Sequence, residues 1–130
     1  MKGFTLIELI AVIVLLGILA AAAVPRFVDL SQAARESSAR SVAGTLGSAS
    51  ALNYANALLV VQDYAGIDGP RPVTNCQDAG ILLDGGIPSG YSIEAQAVGH
   101  LASVTCVLTD QSDNNITAEF VVHGVDPTEM

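Results

Sequence analysis

The 130-residue sequence has no tryptophan, three tyrosines and three phenylalanines, and only five lysines and arginines against thirteen acids. So small a supply of cations excludes functions that rest on neutralising phosphate, and nucleic acid is not an expected partner. The aromatics Phe4, Phe27, Tyr54, Tyr64, Tyr91 and Phe120 are too sparse for an aromatic conduction path, and Phe27 and Phe120 read as ordinary core. Two cysteines, Cys76 and Cys106, and two histidines, His100 and His123, form no CxxC and no cluster at zinc spacing, so no metal and no other cofactor is expected. No GxSxG or HExxH frame recruits either histidine, which read as surface or strand-end residues, and the chain is not expected to be an enzyme. Residues 85–90 (GGIPSG) lack the Lys-Ser/Thr of a phosphate loop, and residues 110–115 (DQSDNN) lack the Gly and distal Glu of an EF-hand, so both read as turns. Asn115-Ile116-Thr117 fits a glycosylation sequon, a pattern too short to carry weight.

What the sequence has is apolar residues, 51% of the chain, with a mean hydropathy of +0.50. They are concentrated at residues 4–24 (FTLIELIAVIVLLGILAAAAV), where Glu8 is the one ionisable side chain. As a helix this run measures about 31 Å, the thickness of a bilayer hydrocarbon core. It is too long for a cleavable secretory signal, so the helix is expected to remain. Residues 25–130 keep four arginines against twelve acids and therefore hold the whole formal charge of -8. That part is an acidic, water-facing module. The arginines close behind the span, Arg26, Arg35 and Arg40, outnumber Lys2 before it, so the positive-inside count opposes placing the module outside the cytoplasm. The even cysteine pair favours that placement, because a disulfide between Cys76 and Cys106 would close a 31-residue loop and stabilise the fold by roughly 3.5 kcal/mol. Two free buried thiols are the alternative reading.

Beyond Pro25, Phe27, Leu30, Ala34, Val42, Leu46, Ala49, Leu52 and Leu59 recur at spacings of about three and four, which predicts an amphipathic continuation and one long helix over residues 4–61. Pro25 removes a donor, and Gly44 and Gly47 weaken the helix without ending it. Gly66, Gly69, Pro70 and Pro72 close it. The period then becomes two. Tyr91, Ile93, Ala95 and Ala97 predict a first strand, Ala102, Val104, Cys106 and Leu108 a second, and Ile116, Ala118, Phe120 and Val122 a third. Short connections at residues 99–100 and 110–115 suit an antiparallel meander covered by the amphipathic part of the helix. The expected fold is α+β: residues 1–3 a leader, 4–24 a membrane-spanning half-helix, 25–62 an amphipathic half-helix, and 63–130 a globular loop and sheet.

Gly3-Phe4-Thr5-Leu6-Ile7-Glu8 opening an uninterrupted apolar helix, with Gly17 and Pro25 inside it, resembles the N-terminus of type IV pilins, a class that includes the type II secretion pseudopilins. Pro25 to Leu30 (PRFVDL) and the small-residue helix after it are most similar to mannose-sensitive haemagglutinin type pilins. The resemblance implies that a prepilin peptidase cuts between Gly3 and Phe4, that Phe4 becomes the methylated N-terminus, and that Glu8 guides assembly. Two departures stand out: the leader is short with one base, which leaves the translation start open, and Cys106 is followed by a whole strand, which leaves open any D-region role for a disulfide.

A carboxylate inside an apolar helix costs about 2.5 to 3.5 kcal/mol by insertion scales. An ion pair between Glu8 and the new ammonium on Phe4 of a neighbouring subunit would neutralise both, with a pair inside one subunit or snorkelling of Glu8 as alternatives. Gly17 with Ala21, and Gly44 with Ser48, make small-xxx-small faces for close helix approach. Gly17 and Pro25 bracket a stretch expected to loosen on assembly. The expected function is a structural subunit of a type IV pilus, a helical homopolymer served by the prepilin peptidase and the inner-membrane assembly machinery, stored in the bacterial inner membrane and then displayed on the cell surface for adhesion, attachment or motility. A type II secretion pseudopilin is the alternative, and a membrane-anchored binding domain the remote one.

Overall fold

The computed structural model describes residues 3–61 and 69–129. Among these residues are one α-helix, α1 (Leu6–Val61), and three strands, β1 (Tyr91–Ile93), β2 (Ser103–Asp110) and β3 (Asp113–His123), with 3-10 segments at Cys76–Leu82 and Pro127–Glu129. This is the expected α+β arrangement. The described helix reaches Val61, its expected end, and Gly66, the first of the residues expected to close it, lies outside the described residues. The chain divides into two compact units, Met1–Arg35 and Glu36–Met130, and α1 contributes to each.

Among the described residues of the first unit α1 is the only regular element. It is long and apolar enough to cross a membrane by length and composition. Ile13, Leu16 and Leu19 are exposed, as they must be where a single helix has nothing to bury against. Phe27, expected in the core, is 72% exposed, and Leu30 and Ala34 are exposed with it. The buried stripe of α1 therefore begins later than the three-and-four spacing predicts. Three-and-four spacing says which residues share a face, and it does not say whether a sheet reaches that face.

In the second unit Ala39, Ala43, Leu46, Ser50 and Ala57 form the buried stripe of α1. These residues join Ile93, Cys106, Leu108, Ile116, Ala118, Phe120 and Val122 from the inner face of the sheet in the same buried layer, except Ser50 and Ala57, which lie outside that cluster. Leu46 was expected there. Val42 and Ala49 are half-buried, whereas Leu52 and Leu59, expected inward, are exposed. Small side chains let α1 come close to the sheet: the open side of Gly47 faces Phe120 and the Val121 backbone at 3.8 Å.

The sheet order is β1-β2-β3, an antiparallel meander. Alternation in β2 and β3 points as the sequence pattern said, with Cys106 and Leu108, then Ile116, Ala118, Phe120 and Val122, all inward. The first strand is shorter than expected. It ends at Ile93, and Ala95 and Ala97 are exposed, because residues 96–98 leave β2 and bond instead to the segment around Asn75. Gln96 accepts from the Cys76 N–H, and Val98 donates to Thr74. The β1–β2 connection is consequently longer than residues 99–100. The β2–β3 connection is tighter than residues 110–115: Asp110 and Asp113 pair, and the Asp110 carboxylate accepts from the Ser112 N–H at 2.8 Å.

Candidate assembly site

Helix α1 begins at Leu6 because Thr5 caps it. The Glu8 N–H donates to the Thr5 hydroxyl at 3.4 Å, while the Glu8 carboxylate accepts from the Thr5 N–H at 2.9 Å and from its hydroxyl at 2.7 Å. This is a capping box, in which the N-cap residue and the residue three further on satisfy each other's otherwise unpaired donors. Its T-x-x-E signature is carried locally by Thr5-Leu6-Ile7-Glu8, a signal that the single charge of Glu8 overshadows. The box gives Glu8 a local role that needs no second subunit. Both hydrogen bonds to the carboxylate end on Oε2, which leaves Oε1 without a partner among the described residues.

Gly3 and Phe4 precede the cap. Phe4 is 92% exposed, and nothing stands within 4 Å of the open side of Gly3, so the peptide bond between them is sterically accessible. Residues Gly3, Phe4, Thr5 and Glu8 are thus brought together at one helix start. Gly17 and Pro25 lie farther along the same unit, both within continuous helix. The missing side chain of Gly17 faces open space, as does that of Gly44, whose carbonyl accepts from the Ser48 hydroxyl. Arg26, Phe27, Leu30 and Ala23 line a shallow groove on the outside of α1.

In the second unit Cys76 and Cys106 are bonded in a disulfide, with a Cα–Cα distance of 5.8 Å, joining the first 3-10 segment to β2. Both sulfurs belong to the buried core. Asn75 and Asp78 fix the start of that segment: Asp78 accepts from the N–H groups of Thr74 and Asn75, and Asn75 accepts from those of Gln77 and Gln96. Among the described residues neither histidine faces a partner suited to catalysis. His100 Nδ1 accepts from the Asp126 N–H at 3.0 Å, and His123 at the end of β3 stacks on Tyr54 with ring centroids 4.9 Å apart. Among the described residues no three of His, Cys, Asp and Glu gather as a metal site. Gly85, Gly86 and Gly90 have positive φ, which is turn geometry.

The prokaryotic N-terminal methylation motif matches residues 1–24. The chain is also 55% identical over 51 residues to a protein of Thermus thermophilus described as the type IV narrow pilus major component PilA5. That alignment covers 39% of this chain and 44% of the relative, so the chain matches less than half of the relative's length. No solved structure matches. The motif and the relative support a type IV pilin, and neither bears on the haemagglutinin-type subclass.

Proposed function

We propose that this chain, a type IV pilin by its N-terminal motif, is a structural subunit of a type IV pilus that polymerises through its apolar helix. The observation that carries this reading is Glu8 set inside an otherwise uncharged, exposed apolar segment and held by Thr5 at its start. Two donors on Oε2 offset part of the cost of a carboxylate at that depth. Hydrolysis of the Gly3–Phe4 peptide bond adds water across it, releases residues 1–3 and leaves an ammonium on Phe4; N-methylation of that amine retains the charge. Oε1 of Glu8 can then accept the ammonium of an adjacent subunit while Oε2 keeps the cap. The pair neutralises both charges in a medium where each alone is costly.

The apolar run stores the subunit in the bacterial inner membrane and holds the fibre together after extraction, each buried Å² contributing about 25 cal/mol. The disulfide-bearing module stays outside the cytoplasm and forms the fibre surface. Adhesion, attachment or motility are then properties of the polymer, whereas the prepilin peptidase and the assembly machinery act on the subunit before it joins the fibre. Gly17 and Pro25 supply the stretch that can loosen as subunits pack. The deciding experiment is Glu8→Ala, with cell-surface fibres examined by electron microscopy: wild type forms fibres and the variant does not. Normal fibres from the variant would overturn the role of Glu8. A wild type without fibres, whose deletion traps secreted enzymes in the periplasm, would replace the pilus by the type II secretion alternative.

A further inference from the structure

Charge is segregated along this chain. The unit Met1–Arg35 holds Lys2, Arg26 and Arg35 against Glu8 and Asp29, whereas Glu36–Met130 holds eleven acids against Arg40 and Arg71. Arg40 is already engaged, its guanidinium 3.7 Å from the Glu36 carboxylate one turn before it. Arg26 and Arg35 are exposed and take part in no ion pair among the described residues. On the acidic side Asp78, Asp110, Asp113 and Asp126 are occupied by nearby N–H groups. Asp84, Glu94, Glu119 and Glu129 are exposed and have no side-chain partner among the described residues. Among the described residues each copy therefore presents two unengaged cations on its apolar unit and four unengaged anions on its globular unit.

The placement of the cations is informative. They follow the apolar run on the side that carries the disulfide, where arginine hinders translocation. Nine residues separate Arg26 from Arg35, which at about 100° per residue sets them on opposite faces of the helix. One neighbour cannot meet both; neighbours packed around the helix can. Arg26 also shares its groove with Ala23, Phe27 and Leu30, so a carboxylate docking there is partly shielded from water and bound more strongly than at an open surface. An anionic bilayer surface would attract the two arginines and repel the acidic module that follows them.

We propose that Arg26 and Arg35 pair with carboxylates on the globular units of second copies of this chain, drawn from Asp84, Glu94, Glu119 and Glu129. The contact rests on the filament reading above and adds to it an electrostatic interface separate from Glu8. Assembly is then set by charge matching as well as by apolar burial.

The test uses sheared fibres of the full-length protein, wild type and the double variants R26Q/R35Q and R26K/R35K, pelleted between about 0.1 M and about 1 M NaCl, a range that takes the screening length from about 10 Å to about 3 Å. Wild type and the lysine variant are expected to release roughly tenfold more soluble subunit at the upper salt than at the lower. The glutamine variant is expected to release that larger amount at low salt already, with no further response, or to form no fibres while the lysine variant does. Glutamine fibres that pellet like wild type at every salt would overturn the proposal, as would loss of fibres in both variants. Unchanged glutamine fibres combined with lost binding to phosphatidylglycerol vesicles would overturn it too, and assign the arginines to lipid headgroups. Absence of fibres from wild type would instead bring down the filament reading beneath it.

Discussion

Thr5 and Glu8 hold each other across the first turn of α1, the hydroxyl donating to Oε2 at 2.7 Å and the Glu8 N–H returning to the same hydroxyl at 3.4 Å. Glu8 is thereby bound to its own helix before any neighbour arrives. Thr5→Val keeps the shape of the side chain and removes the hydroxyl. It should weaken the first turn by about 1 kcal/mol, seen as faster amide exchange at residues 6–8 in detergent micelles, and Thr5→Ser should restore protection. Equal exchange in the valine variant would show that the cap carries no weight.

The disulfide makes a separate prediction. Cys76 and Cys106 are buried and 30 residues apart. Replacing both by serine should lower the stability of the globular unit by roughly 3 to 4 kcal/mol from loop entropy, with a further loss from the two buried hydroxyls. Tyrosine fluorescence in a urea titration reads it directly, since the chain has no tryptophan to mask the signal.

Gly124 is buried where the chain crosses itself: a Cβ there would overlap the Gly99 carbonyl. The crossing is closed by the Gly124 N–H donating to Ala102 and the Leu101 N–H donating to Gly124. Gly124→Ala must push two backbones apart, and a loss of several kcal/mol is expected, beyond the usual range for a single substitution. A urea midpoint within error of wild type would contradict this crossing.

Much of this architecture was legible in the sequence, for reasons visible in particular residues. The phases of β2 and β3 followed from alternation alone, because one face meets the core and the other meets water, so Cys106, Leu108, Phe120 and Val122 fell on the right side. The apolar run declared itself by length. Phe27 and Leu52 were misplaced because helical spacing assigns a face and not its cover. Ala95 and Ala97 were misplaced because Asn75 diverts that stretch, and a side chain twenty-one residues away leaves no trace in local alternation. The pairing of Gly124 with Gly99 was hidden for the same reason. At the candidate site Glu8 stood out as the lone charge, while the Thr5 cap was not legible beside it although its four-residue signature is local.

Asp126 predicts a pH effect. Its carboxylate accepts from the Thr128 hydroxyl at 2.6 Å and from the Thr128 N–H at 2.9 Å, and these bonds, with a smaller pull from His100, hold its pKa below the ordinary 3.8. A carboxyl whose folded pKa is depressed favours the fold in its charged form. The contribution is therefore complete above the ordinary value and disappears as pH falls through the folded one. Thr128→Val should raise the Asp126 pKa in a carbon-detected NMR titration. The stability gap between variant and wild type should be present near neutrality and close in acid; a gap that widens in acid would reverse the assignment.

Ser50 tests how α1 is fastened to the sheet. It is fully buried in the helix stripe, and its hydroxyl accepts from the His123 N–H at 2.8 Å, at the end of β3. His123 ends a strand whose other side already pairs with β2, so this N–H has turned toward the helix. An alanine at this position would pack with little loss of volume, yet it would strand a backbone donor away from water. That desolvation costs about 1 to 3 kcal/mol, more than the average hydrogen bond returns, because water cannot enter to replace the lost partner. Ser50→Ala should lower the urea midpoint accordingly and speed exchange of the His123 amide selectively, leaving Val122, which pairs with Val104 of β2, protected. If His123 stayed as protected as in wild type, the closure of this strand end would have to come from β2 alone.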